Sequence, residues 1–257
     1  MQVSKRRVEW LREETRSGCV ERSFLLSRPA EPVPGVLWSP RDRTPKATVL
    51  LLHGGSGHKR TDRLQRMGQR LSQAADLAVI ALDGPYHGDR VPAPMAASEY
   101  QPLIVDEGVE TVTARLTQEW LETVATLAGL GLADEAHVSV FGMSMGARFG
   151  LPTAAALGTR LRCLVLGKFG IREAPPTHPG LCARNLTLTS AHAIVAPVLY
   201  HVQWDDAIFP REGQFELFDA ITSEDKRLHA RTGPHDRTRA DDERLFIEFL
   251  RQNAVPA

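Results

Sequence analysis

The strongest constraint on this chain is an alternation of two periods. Short apolar runs recur along it: "ATVLLL" from Ala47, "LAVIAL" from Leu77, "HVSVFG" from His137, "LRCLVLG" from Leu161 and "PVLYHVQW" from Pro197. A run that is apolar at consecutive positions reads as a strand buried on both faces, and such strands pair in parallel under a cover of helices. The intervening stretches supply that cover. Arg60 to Ala75 sets Leu64, Met67, Leu71 and Ala75 on one helical face. Further helices are expected over Val109 to Leu130, Ser144 to Leu157 (with a disturbance at Pro152), Arg211 to Ile221 and Asp241 to Gln252.

Two earlier runs, "RSFLLS" and "VPGVLWSP", read as an antiparallel edge, and "KRLHAR" as the last strand. The expectation is a single α/β domain over residues 1–257, a mostly parallel eight-stranded sheet flanked by helices. The opening "SKRRVEWLREETR" reads as a charged amphipathic helix, on the surface or at the contact of a homodimer. Val91 to Pro102 is proline-rich and reads as irregular. Residues 168–196, after the sixth strand, form the one loop long enough to act as a small lid.

Composition works by exclusion. Lys+Arg and Asp+Glu both number 31, so the net charge gives no case for nucleic acid or an anionic membrane as partner. No run approaches the ~18 apolar residues of a spanning helix, and the N-terminus lacks a secretory core. The expected setting is cytoplasmic. Cys19, Cys163 and Cys182 are odd in number and far apart, which argues against a disulfide framework or a zinc cluster. No zinc site is expected.

One stretch points to chemistry. "VSVFGMSMGARFGL" puts Ser144 between Gly142 and Gly146 where a strand gives way to a helix. A G-x-S-x-G turn there lifts a serine on a sharp, strained corner, with the N-termini of the helix facing developing negative charge. A serine hydroxyl needs a histidine to take its proton and an acid to hold the imidazole. In an open α/β sheet both should come from loops after the strands. His235, in "RTGPHDRTR", follows the last strand and is the expected base. His53 ends an earlier strand inside a glycine loop, while His137, His201 and His229 lie in or at the start of strands and read as core or edge residues. "WDDAIFPRE" offers Asp205 and Asp206; adjacent residues point apart, and Asp206 is the expected acid, with Asp205 as the alternative. For the oxyanion, the N–H of Met145 pairs with that of Gly55 in "HGGSG", or of Ser56 instead.

With "HGGSG", "DGPYHGDR", "GMSMG", "DDAIFP" and "GPHD" in this order, the chain resembles the α/β-hydrolases, and among them the dienelactone hydrolase-type serine esterases. The likeness runs from about Val33 onward. It implies the α/β-hydrolase fold, an acyl-enzyme, no cofactor, and a loop-shaping role for His87. Two features depart from it: dienelactone hydrolases proper use cysteine where Ser144 stands, and Pro234 precedes His235 where a second glycine is usual. The expected activity is cleavage of a small carboxylic ester or lactone. An acyltransferase or thioesterase would share the same chemistry, and a non-catalytic ligand-binding module would normally have lost a member of the triad. Ser56, Tyr86, Lys168 and Phe169 are expected along the substrate pocket. Lys168 would there attract a substrate carboxylate, or else be a solvated loop lysine. His53, His58 and His87 fit no common zinc spacing.

Overall fold

The computed structural model describes residues 8–16 and 18–255. Nine strands form one sheet in the order β1-β2-β3-β5-β4-β6-β7-β8-β9. They are β1 (Val8–Arg16), β2 (Cys19–Leu26), β3 (Val33–Pro40), β4 (Ala47–Leu52), β5 (Leu77–Leu82), β6 (Val138–Met143), β7 (Leu161–Gly167), β8 (Val198–Gln203) and β9 (Lys226–Arg231). The β1–β2, β2–β3 and β3–β5 pairs are antiparallel, and every pair from β5 to β9 is parallel.

The helices are α1 (Asp62–Ala75), α2 (Ala97–Glu107), α3 (Val109–Gly129), α4 (Met145–Leu157), α5 (Arg184–His192), α6 (Arg211–Ala220) and α7 (Ala240–Ala254). They divide between the two faces of the sheet. In β4, Leu50 and Leu52 pack with α3 and α4 residues such as Trp120 and Leu151. Val49 and Leu51 pack on the other face with Leu64 and Met67 of α1 and Phe246 and Leu250 of α7. The same alternation in β5 separates Ile80 and Leu82 from Val79 and Ala81. This two-sided burial is why the runs carry no polar face.

The sheet has nine strands where eight were expected. The added one is β1, in the segment that reads as a helix. Residues 4–7 of that segment lie outside the described residues. From Val8 the chain pairs with β2 along its length, Val8 opposite Leu26 and Arg16 opposite Cys19. Its charges suit an exposed edge: Glu13 takes the Nε–H of Arg22 across the strands at 2.6 Å. Trp10 meets Phe24 edge-on at 6.0 Å. Pairing overrides the local helical pattern here. The second difference is α2, which begins inside the segment expected to be irregular and contains Pro102. The Glu99 carboxylate accepts the Ala96 N–H at 2.6 Å, and Tyr100 and Ile104 bury one face. α4 also runs through Pro152. The 168–196 segment holds a short 3₁₀ turn and α5.

After β4 the chain runs through α1 to β5 on one side, then through α2 and α3 to β6 on the other. The C-terminal ends of β4 and β6 therefore mark the point where strand order reverses, the usual location of a crevice.

Packing of α1 gives a test. Gly68 sits in that helix over the buried Trp38 of β3, and an added Cβ would stand 2.5 Å from the indole ring. Glycine-to-alanine in an open helix gains about 1 kcal/mol, but overfilling a packed contact costs about 1–3 kcal/mol. Gly68→Ala should therefore lower the midpoint of thermal unfolding, and a raised midpoint would show that α1 does not lie against Trp38.

Candidate active site

Ser144 joins β6 to α4 with φ +58 and ψ −122, a left-handed backbone that a side chain rarely adopts. Its N–H donates to the Gly167 carbonyl of β7 at 3.0 Å. The two flanking glycines are there for space. A Cβ on Gly142 would come within 2.2 Å of the Gly146 carbonyl oxygen, and one on Gly146 within 2.5 Å of that of Leu52.

The loop between β9 and α7 carries His235 to this corner. His235 Nε2 lies 2.9 Å from Ser144 Oγ, and its Nδ1 lies 2.7 Å from Asp206 Oδ2. The Asp206 carboxylate is buried. Its Oδ1 accepts the N–H groups of Ile208 at 2.8 Å and Phe209 at 2.9 Å, so the chain that follows the acid orients it. Asp205 turns the other way. Its Oδ2 accepts the Gly233 N–H at 2.7 Å, holding the base of the histidine loop.

The loop after β4 brings Gly54, Gly55 and Ser56 to the same cleft as Ser144 and Met145. His53 fixes this loop. Its Nε2 accepts the Gly84 N–H at 2.8 Å, so the other nitrogen carries the hydrogen and donates to the Gly54 carbonyl at 2.8 Å. Burial lowers its pKa to about 4, which keeps the ring neutral. In a trans peptide the N–H lies opposite the C=O, so anchoring the Gly54 carbonyl fixes the direction of the Gly55 N–H. His87 bridges the loops after β5 and β4, its ring nitrogens facing the carbonyl oxygens of Pro85 at 2.7 Å and Gly55 at 2.9 Å. His58 Nδ1 accepts the Arg60 N–H at 3.1 Å. Beneath them Asp83, fully buried, accepts Lys59 N–H at 2.9 Å and Lys59 Nζ–H at 2.5 Å.

The cleft has a volume of about 640 Å³, within the usual range for a small-molecule site of ~300–1,000 Å³. Met95, Tyr100, Ile104, Leu181 and Ile208 give it an apolar wall. Ser56 and Lys168 line it; Phe169 and Tyr86 do not. Phe169 is buried against Phe209 at 5.3 Å. Tyr86 has a left-handed backbone at φ +61, and its hydroxyl donates to Glu107 at 3.0 Å. Lys168 differs from both sequence readings. It is 3% exposed, and its ammonium donates into the histidine loop, leaving it neither solvated nor free to meet a substrate carboxylate.

Two features had no place in the sequence reading. Tyr100, from the unforeseen α2, sets its hydroxyl beside Gly55, 2.3 Å from where a Cβ there would be. Arg148 of α4 donates to the Leu181 carbonyl at 2.6 Å and to Glu173 at 2.7 Å, tying the 168–196 segment to the helix that starts at Ser144. The only signal for the first was the Tyr100–Ile104 spacing; the second had none, since its partners are 25 and 33 residues away.

A second group of polar side chains lies under the sheet's C-terminal edge, where His201, His229 and Asp242 approach one another. Asp242 Oδ1 already takes His229 Nε2 at 2.8 Å and Arg231 Nε at 2.9 Å, and Oδ2 takes the Arg239 N–H at 2.8 Å. The carboxylate serves as a clasp between β9 and α7.

The sequence matches no family model and no curated protein. Solved structures do match. A cold-adapted esterase from an Arctic intertidal metagenomic library is 27% identical, with a TM-score of 0.79 over 96% of this chain and 99% of that one. An acetyl xylan esterase from Paenibacillus sp. R4 is 16% identical, with a TM-score of 0.73 over 96% of this chain and 88% of that one. A Klebsiella pneumoniae protein provisionally assigned as a dienelactone hydrolase is 19% identical, with a TM-score of 0.65 over 90% and 97%. The strand order and the match over nearly the full chain give the protein the fold of the α/β-hydrolases.

Proposed function

We propose that the protein is a serine hydrolase that cleaves a small carboxylic ester or lactone through an acyl-enzyme. The observation that carries this reading is the unbroken relay from Ser144 Oγ to His235 Nε2 at 2.9 Å and from His235 Nδ1 to Asp206 at 2.7 Å, opening on an apolar cleft. The likeness to the metagenomic esterase, at 27% identity, agrees with it.

Ser144 Oγ attacks the ester carbonyl as its proton passes to His235 Nε2. Asp206 Oδ2 takes the Nδ1 hydrogen bond of the resulting imidazolium, and the N–H groups of Gly55 and Met145 hold the oxyanion. Collapse of the tetrahedral intermediate breaks the bond to the leaving alkoxide, which takes the proton back from Nε2. A water then gives its proton to His235 and attacks the acyl carbon, and the second collapse releases the acid and restores Ser144. His53 contributes here, because its hydrogen bond to the Gly54 carbonyl polarises the peptide that offers the Gly55 N–H. No described helix is long and apolar enough to cross a membrane.

A fluorophosphonate probe should add covalently to wild-type protein and leave Ser144→Ala unlabelled. Intact-mass analysis showing labelling of both, or of neither, would remove the central claim.

The acids separate in a second test. Asp206→Asn imposes the wrong imidazole tautomer, a change that costs on the order of 10⁴ in kcat in a serine triad. Asp205→Asn only weakens the bond to the Gly233 N–H and should cost about tenfold or less, as expected for loss of ~1 kcal/mol. Equal losses in the two variants would show that Asp206 has no special link to the imidazole.

A further inference from the structure

Lys168 follows β7 directly, with its backbone in the left-handed region at φ +51. A residue with a side chain is strained there and stays only where its surroundings hold it. Its N–H donates to the His201 carbonyl at 3.0 Å, and its side chain runs beneath the histidine loop. There Nζ donates to the carbonyl oxygens of His235 at 2.8 Å and Arg237 at 2.5 Å, and to Thr238 Oγ1 at 2.8 Å. An ammonium has three N–H donors and no acceptor, so all three are used on one loop.

That loop is held in two halves. Asp205 and Gln203, at the end of β8, take the Gly233 N–H at 2.7 Å and the Gly233 carbonyl at 2.8 Å. Lys168 takes the half from His235 to Thr238, including the carbonyl of the histidine itself. Displacing that carbonyl moves the Cα to which the imidazole is attached.

We propose that Lys168 is the positioning residue for the general base, its ammonium clamping the main chain at His235, Arg237 and Thr238 so that the imidazole stays in reach of Ser144. The inference rests on the reading of Ser144, His235 and Asp206 as an acylating triad. Misplacing a reacting group by about 1 Å can cost on the order of 10²-fold in rate. The effect should fall on kcat, because the donors of Lys168 are spent on the loop.

The clamp is also titratable. Burial and, to a smaller degree, the Arg63 guanidinium of α1 push the ammonium down to about 8, against the pull of Asp206, Asp236 and Asp242. His201 of β8 faces it as well. Below that pH the charged, three-donor form is present. Above it the amine keeps two donors, the Thr238 hydroxyl must turn round to donate, and the remaining bonds lose their charge assistance. Activity should therefore fall on the alkaline side, in addition to the acid-side loss when His235 is protonated.

The test is kcat/KM against pH for wild type, Lys168→Met and Thr238→Val, alongside the fluorophosphonate labelling rate and thermal unfolding. Wild type should show a falling limb near pH 8. Lys168→Met should lose about 10²-fold in kcat at pH 7 with KM within about threefold, keep the acid limb and lack the alkaline one. Thr238→Val, which leaves the lysine in place, should lose severalfold and move the alkaline limb to lower pH, since the ammonium has one acceptor fewer. It carries the test if Lys168→Met does not fold. A Lys168→Met variant with wild-type kcat, or with the same alkaline limb, overturns the proposal, as does an unmoved limb in Thr238→Val. Wild-type protein that forms no Ser144 adduct at any pH overturns the triad reading, and this inference with it.

Discussion

The whole site depends on one close approach, the first turn of α4 against the ends of β4 and β6. The Gly146 Cα lies so near the Leu52 carbonyl, and the Gly142 Cα so near that of Gly146, that neither position can hold a methyl group. Only with both free of side chains can the chain reverse from strand to helix within one residue, and that residue is Ser144 at φ +58. The strain there is held by the Ser144 N–H on Gly167 and by a helix buried along most of its length. A flexible corner could not keep an Oγ within 2.9 Å of a histidine delivered from 91 residues later in the chain.

The loops around that corner are fixed by buried polar groups, each with its partners supplied. Asp83 and Lys59 would each be costly alone in this environment, and together they hold the loop after β5 against the loop after β4. His53 is kept neutral by burial and so can accept from one loop and donate into the other. Lys168 does the same for the histidine loop with a charge. The apolar core shapes the sheet, while directional bonds at its C-terminal edge set distances to a few tenths of an ångström. Hydrophobic burial has no direction and could not do the second job.

What the sequence revealed follows the same division. The parallel strands were legible because two-sided burial leaves continuous apolar runs, and Ser144, His235 and Asp206 because each sits in turn chemistry after such a run. β1 was not legible. Its identity as a strand comes from pairing with β2, and its Glu9, Arg12 and Glu13 are exposed in a way that mimics a helix surface. α2 was hidden by Pro92, Pro94 and Pro102, although Tyr100 and Ile104 already stood one turn apart. Asp206 rather than Asp205 meets His235 because the N–H groups of Ile208 and Phe209 orient one carboxylate and that of Gly233 the other, where the sequence showed only two adjacent residues pointing apart. Lys168 was least legible of all. A lysine after a strand looks like surface, and only the tertiary placement of a loop 67 residues away turns it inward.

The same reasoning bears on the 168–196 segment, which the sequence marks as a lid by length alone. It begins at Lys168, whose side chain holds the histidine loop, and it is tied at Glu173 and Leu181 to Arg148, one turn beyond Ser144. The Arg148 guanidinium also lies 5.3 Å from the centre of the Phe169 ring and 5.9 Å from that of Phe209. Phe209 in turn follows Asp206 and donates its N–H to that carboxylate. The wall of the cleft and the Ser144–His235–Asp206 contacts are thus joined through one buried cation on the helix that follows Ser144. Moving this segment would disturb the contacts of Asp206 and His235.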